Sequence, residues 1–194
     1  MVTSFGFYLT VIAAIGADRI LELFIARRNA NRAFAAGAIE VGQAHYPLMV
    51  AFHVAFLAAC IIERSLRRHG PPPSIAWLAI VLELCAQMLR YWAIIALGAR
   101  WNTRIVVRPE LDPVTSGPYR LMRHPNYVAV AIEMVAVPAI GGAWFTAIVF
   151  SIGNALMMMV RIPAEERAMG LRYAGSFGKL PRFIPRIGHA EHRG

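Results

Sequence analysis

An all-α integral membrane protein of about five transmembrane helices is the fold this sequence predicts, and three observations carry the prediction. Hydrophobic residues make up 58% of the 194 and charged residues only 16%, against roughly 25% charged in a soluble domain. Apolar runs of crossing length recur along the chain, about 20 residues sufficing for roughly 30 Å of hydrocarbon. The Lys and Arg residues gather in the connections between those runs.

The first span runs from about Phe5 to Ala26, with no basic segment or cleavage site ahead of it, and reads as a retained helix. Asp18 and Glu22 share one of its faces at i,i+4, with Arg19 beside them. They either close the span at the interface or line a polar interior, because charge inside hydrocarbon must be paired or wet. Arg27, Arg28 and Arg32 follow in a loop that contains Gly37 and Gly42. The second span, about Tyr46 to Ile62, holds His53, which is expected to meet a lipid headgroup or a neighbouring helix. No Cys or carboxylate stands at ligand spacing from His45 and His53, so no metal is expected there.

The stretch from Glu63 to Pro73 reads as a turn closed by three prolines, which cannot continue a helix. The third span, about Ile75 to Gly98, carries Glu83, Gln87 and Arg90 at i, i+4 and i+7. Such a stripe must face protein, where it meets Asp18 and Arg19 or touches a substrate. Cys60 and Cys85 lie inside apolar runs and read as small buried hydrophobes. Residues 99–124 form the longest polar connection, with an extended or interfacial segment around Ile105–Val107 and Trp101 at headgroup level.

Within it stands the most unusual stretch of the chain, Gly117-Pro118-Tyr119-Arg120-Leu121-Met122-Arg123-His124-Pro125-Asn126-Tyr127. Gly-Pro sets a turn, and Pro125 suits the first position of a helix, where a missing N–H costs nothing. From Pro125 to Arg161 the chain is nearly all apolar, broken by Pro138 and Gly141-Gly142. Two helices of about 15 and 20 residues, joined at the glycines, satisfy that pattern. The first is too short to cross straight and should meet a thinned bilayer or start in a protein-lined cavity. The hairpin returns Arg161-Ile162-Pro163-Ala164-Glu165-Glu166, at the end of the last span, to the side of His124, so the two polar clusters form one site. Met157, Met158 and Met159 read as flexible core packing or the wall of an acceptor tunnel. Counting Lys and Arg outside five spans puts 15 on one side and 3 on the other. That bias places the N-terminus outside and both clusters in the cytoplasm. The tail from Gly170 to Gly194 reads as an interfacial cap and a disordered end.

The pairing of Gly-Pro-Tyr-Arg-x-x-Arg-His-Pro-x-Tyr (117–127) with Arg-x-x-x-Glu-Glu (161–166) resembles the isoprenylcysteine carboxyl methyltransferase family. Those membrane enzymes use S-adenosylmethionine. The runs Leu97-Gly98-Ala99-Arg100-Trp101-Asn102-Thr103-Arg104 and His124–Glu133, with Asn154, are most similar to a bacterial branch. Some of its members are thought to O-methylate alkylpyrones or phenolic lipids. Val128-Ala129-Val130 follow Tyr127 where the eukaryotic type has Gly-Trp, which argues against a prenylated protein as substrate. The resemblance implies that His124, Tyr127 and the nearby backbone hold the cofactor. It also implies that Glu165 and Glu166 lie close to cofactor and acceptor, and that Arg161 faces the acceptor oxygen. It divides the single domain into three membrane helices (1–98), a catalytic region with the hairpin (99–180) and a basic tail (181–194).

Methyl transfer from a sulfonium to oxygen needs alignment and desolvation more than covalent help. The expected catalytic residues are Arg161, Glu166 and Glu165: Arg161 to orient a carboxylate or enolate, Glu166 to take a proton or to orient Arg161. The expected cofactor-binding residues are Tyr119, Arg120, Arg123, His124, Pro125, Tyr127 and Glu165. The expected cofactor is S-adenosyl-L-methionine. The partners are a lipophilic acceptor and membrane lipid, with the protein in a bacterial inner membrane. A net charge of +9 does not indicate nucleic acid, because the basic residues flank spans and form no recognition module. A phospholipid N-methyltransferase and a non-catalytic scaffold or transporter are the rival readings, and the absence of an internal repeat counts against a transporter.

Overall fold

The computed structural model describes residues 3–184, apart from residues 68, 109 and 179. Five helices account for most of the chain: α1 (Phe5–Ala35), α2 (His45–Leu66), α3 (Pro73–Leu97), α4 (Pro125–Gly141) and α5 (Trp144–Phe177). Three of them are long and apolar enough to cross a membrane, within the bounds Tyr46–Leu66, Pro73–Arg100 and Trp144–Phe177. Their outer faces carry exposed apolar side chains, such as Leu78, Met88 and Ile95 on α3 and Phe145, Ile152 and Met159 on α5. This is the surface of an all-α membrane protein rather than of a soluble bundle.

α4 is the centre of the bundle. Eleven of its 17 residues are buried, and Val130, Met134, Val137 and Ile140 share one core with Tyr8, Ile12, Phe56, Cys60 and Ala79 from α1, α2 and α3. Its shortness, expected to need a thinned bilayer or a protein-lined start, is answered by the second option: neighbouring helices surround it. The expected glycine turn ends it. Gly142 adopts φ 75° as a left-handed cap, and Ala143 N–H donates to Pro138 O at 2.9 Å. α5 then begins under Glu63, whose carboxylate accepts from Phe145 N–H, Thr146 N–H and the Thr146 hydroxyl. Glu63 thus belongs to the end of α2 and caps another helix, where the sequence read a turn.

The polar residues of the first and third spans meet inside the bundle. Arg19 donates to Asp18 (2.7 Å), Glu22 (2.8 Å) and Gln87 (3.1 Å), and Gln87 passes a bond of 2.7 Å to Glu83. Arg90 is bonded to Glu133 of α4 and lies 3.7 Å from Glu22. The stripe faces protein, as expected, and its partners include Asp18 and Arg19. Glu133 is the member that periodicity did not reveal. Asp18, Arg19 and Glu22 do not close α1, which continues to Ala35. His53 donates through Nδ1 to Met49 O of its own helix at 2.9 Å.

Several other expectations change. α5 does not end near Arg161 but runs on past Pro163 to Phe177, with one non-helical residue at Gly170. Its residues 161–169 are therefore presented within the helix and not at its end. Trp101 is 3% exposed, enclosed by the protein itself, and Asn29 of α1 donates to its carbonyl at 2.8 Å. Cys60 is buried, but Cys85 is exposed on the outer face of α3. Met158 packs against the core, whereas Met159 faces outward. The extended segment Ile105–Val107 (β2) forms as expected, and pairs antiparallel with Ile39–Val41 (β1) from the loop after α1, in the register Ile39↔Val107, Glu40↔Val106, Val41↔Ile105. The disordered end assigned to the tail lies outside the described residues beyond residue 184.

The charge network generates a stability prediction. Arg90→Ala removes the hydrogen-bonded cation of buried Glu133, leaving only Arg19 at 3.9 Å, and should destabilise by about 3 kcal/mol, read as a lowered thermal midpoint in detergent. Arg104→Ala breaks a pair with Glu40 (3.2 Å) in which the arginine is exposed, and should cost no more than about 1 kcal/mol. Equal midpoint losses in the two variants would contradict the network's role.

Candidate active site

The motif stretch turns tightly because Gly117 packs where no side chain fits. It holds φ 59°, and a Cβ there would lie 2.7 Å from Ala96 Cβ and 3.2 Å from the Trp92 indole nitrogen. A 3-10 turn, Gly117–Arg120, follows, and Pro125 opens α4 at its first position. Tyr119, Arg123, His124, Pro125 and Tyr127 are thereby delivered beside α5, at the end of the bundle where Arg161, Glu165 and Glu166 emerge.

The two adjacent glutamates face different surroundings. Glu166 accepts from both nitrogens of Arg182, at 3.1 and 2.6 Å, lies 3.1 Å from His124 Nε2 and 3.6 Å from Arg123. The Tyr173 hydroxyl stands 3.5 Å from the same His124 nitrogen. This carboxylate is already saturated with donors, so it is built to hold the site together. Glu165 instead accepts from the Tyr127 hydroxyl and lines a cavity of about 500 Å³. Arg161 donates to Thr103 O at 3.0 Å. Arg161 is only 5% exposed, its Nε has no partner, and no carboxylate lies within 4.0 Å of it among the described residues.

The cavity is lined by Tyr119, Arg123, Glu165, Met169, Tyr173 and Phe177 on the motif and α5 side. Ala99, Arg100, Asn102, residues 104–108 and 111–114, and Arg32, Ala33 and Ala36 around the end of α1 form its other walls. Burial, with Glu165 and Tyr173 nearby, pushes the Tyr119 hydroxyl above its ordinary value, so it remains a donor at physiological pH. Of the expected cofactor residues, Tyr119, Arg123 and Glu165 line this space, while His124, Pro125 and Tyr127 stand behind it as its frame. Arg120 is exposed and not among the lining residues.

Sequence reasoning missed Thr103, Tyr173 and Arg182. Arg182 belongs to a strap, residues 180–184, that folds back over the motif. Arg123 N–H donates to Pro181 O at 3.0 Å and His124 N–H to Arg182 O at 3.1 Å. The Arg123 side chain clasps Leu180 O at 2.6 Å, and Phe183 packs near the His124 ring with centroids 6.4 Å apart. The available signal was Glu166 itself, an acid at the end of an apolar run with no basic partner at helix spacing on its inner face. Arg182→Ala should release the strap: limited proteolysis of the detergent-solubilised chain then cuts between residues 178 and 184 at least about tenfold faster, the equivalent of 1.4 kcal/mol of opening. An unchanged cutting rate would show that the strap is held by its backbone bonds alone.

A family model described as the isoprenylcysteine carboxyl methyltransferase (ICMT) family matches residues 77–170, which include both halves of the site. The chain is 41% identical over 160 residues to the uncharacterized Bacillus subtilis protein YpbQ, covering 82% of this chain and 94% of that one. An uncharacterized Haemophilus influenzae protein is 31% identical over 158 residues, 81% and 91% of the two chains. The Arabidopsis thaliana protein-S-isoprenylcysteine O-methyltransferase B is 28% identical over 148 residues, 73% and 74% of the two chains. With its paired motif held on a helix hairpin in an all-α membrane bundle, the chain belongs to the isoprenylcysteine carboxyl methyltransferase family.

Proposed function

We propose that this protein is a membrane methyltransferase that uses S-adenosyl-L-methionine to O-methylate an anionic, lipophilic acceptor: a carboxylate, hydroxypyrone or phenolic lipid. The observation that carries the reading is Arg161, a buried guanidinium with a free N–H and no acidic partner among the described residues. An uncompensated buried cation is costly, and an acceptor oxyanion would compensate it with the bidentate fit that guanidinium offers. A neutral amine acceptor would leave that charge unpaired, which disfavours N-methylation.

The residues present suit the cofactor. The cavity offers aromatic walls at Tyr119, Tyr173 and Phe177 for a flat ring, and Arg123 for a carboxylate. Glu165 provides an acid for a positively charged group. Bound there, S-adenosylmethionine supplies an electrophilic methyl on a sulfonium sulfur. The rest falls to the chain's own side chains. Arg161 holds the acceptor oxygen as an anion and points it at the cavity. Tyr127 donates to Glu165 and holds its carboxylate in place. For a hydroxyl acceptor Glu165 is the nearer base, because Glu166 is committed to Arg182 and His124. The apolar surroundings exclude water and strengthen these charge contacts. We place this site on the cytoplasmic side of a bacterial inner membrane, on the basis of the Lys/Arg bias.

Calorimetry on the detergent-purified protein tests the first half of the reading. S-adenosylmethionine should bind saturably, and Glu165→Ala should weaken it at least about tenfold, or 1.4 kcal/mol. Methyl transfer from radiolabelled cofactor tests the second. Arg161→Ala should keep cofactor binding while lowering kcat/KM by about 10²–10³, as loss of an oxyanion-binding group does, and Arg161→Lys should restore only part. A folded wild type that does not bind the cofactor would overturn the proposal.

A further inference from the structure

α5 is interrupted where its sequence carries a glycine. At Gly170 the backbone takes φ 71° and ψ −161°, and the helix then resumes to Phe177. That conformation is open to glycine and closed to almost every other residue. Packing does not demand the glycine, because a Cβ there would meet nothing within 4 Å among the described residues. The backbone alone demands it. What lies beyond the break is not a frayed end. Tyr173 and Phe177 are buried, line the cavity and pack together with ring centroids 4.8 Å apart.

The segment beyond Gly170 is fastened to its surroundings on two sides. On one, Arg172 donates to Asp112 at 2.8 Å, and Asp112 belongs to another wall of the cavity. Both side chains are exposed, and a pair of that kind contributes little. On the other, the strap offers the carbonyls of Pro181 and Arg182 to the N–H groups of Arg123 and His124. Arg182 also holds Glu166, which lies before the break. Arg123, itself a wall of the cavity, donates to Leu180 O and Gly178 O. These bonds can part without disturbing the helical bonds on either side of Gly170.

The geometry points to Leu171–Phe177 and the strap as a hinged flap that turns at Gly170, through which the cavity's ligand enters and leaves. For the identity of that ligand it rests on the methyltransferase reading. A glycine at a break in a helix, with free space around it, is a pivot that can absorb a large change in φ and ψ. Turning there withdraws two aromatic walls of the cavity together. A polar cofactor arrives from water, yet the reaction needs water kept out. A wall that moves as one body serves both needs. The other walls are held more firmly: Tyr119 and Arg123 lead directly into α4, and β2 is paired with β1.

The Arg123 and His124 amides report the opening directly, since both lose their acceptors when the flap lifts. In the ligand-free full chain in detergent, hydrogen exchange should show one shared protection factor for the two. Gly170→Ala should lower that protection at least about tenfold, or 1.4 kcal/mol, because alanine disfavours the closed backbone. No clash at residue 170 could account for the change. Arg172→Ala, which breaks an exposed pair, should lower it about twofold to fivefold. Exchange in the α4 core around Met134 should stay at the wild-type rate in both variants, showing an intact bundle. Saturating S-adenosylhomocysteine should slow both amides in wild type, and its dissociation, followed by radiolabel, should quicken at least about tenfold in G170A. Unequal protection of the two amides, or unchanged protection in G170A, would overturn the hinge. Faster opening in G170A with S-adenosylhomocysteine leaving at the wild-type rate would overturn the flap as the ligand's gate. A wild type that does not bind S-adenosylhomocysteine would remove the methyltransferase reading and the gate together, with the hinge decided by the ligand-free exchange.

Discussion

The bond between Arg90 and Glu133 is the constraint on which the rest of the molecule depends. Inside a bilayer, apolar helices gain little by turning toward one another, because lipid tails solvate them equally well. Polar groups in the interior must be satisfied within the protein, and this chain places four acidic side chains and two arginines there. The network joins α1, α3 and α4 at one level and fixes how α4 is rotated. Glu133 points toward the arginines. Tyr127, six residues earlier and about 120° around the helix, points toward α5 and Glu165.

That rotation separates the duties of the two neighbouring glutamates. Residues i and i+1 on a helix diverge by about 100°, so Glu165 and Glu166 cannot share one role. Glu165 looks into the cavity and Glu166 looks at the strap. An Asp or Glu pair in sequence often reads as redundant charge. Here the first acid is left available by the tyrosine that touches it, and the second is consumed by Arg182 and His124.

Much of this was legible in the sequence, and the boundary is physical. The succession of five helices, the Gly142 turn and the inward stripe Glu83–Gln87–Arg90 follow from local preference and period, which a single sequence carries. The pairing of residues 117–127 with residues 161–166 followed because a hairpin of two apolar helices can only return to its own side. The unseen parts share one trait: a partner far away in the chain. β1 reads as a glycine-flanked loop until β2 is beside it. Trp101 carries the signature of an interfacial aromatic until Asn29 buries its backbone. Pro163 is a helix breaker by rule, yet α5 passes through it. Arg182 sits in a stretch with no periodicity at all, and only the unmatched acid of Glu166 hinted at it.

The strap also has a consequence for the order in which the protein comes into being. The backbone N–H groups of Arg123 and His124 are satisfied by the carbonyls of Pro181 and Arg182, which leave the ribosome after both helices of the hairpin. The five helices can therefore be inserted and packed while the motif still has open hydrogen bonds. Only the last part of translation supplies the strand that seals them. A chain halted before residue 180 would have its internal charges paired while the backbone N–H groups of Arg123 and His124 still lacked these two carbonyls.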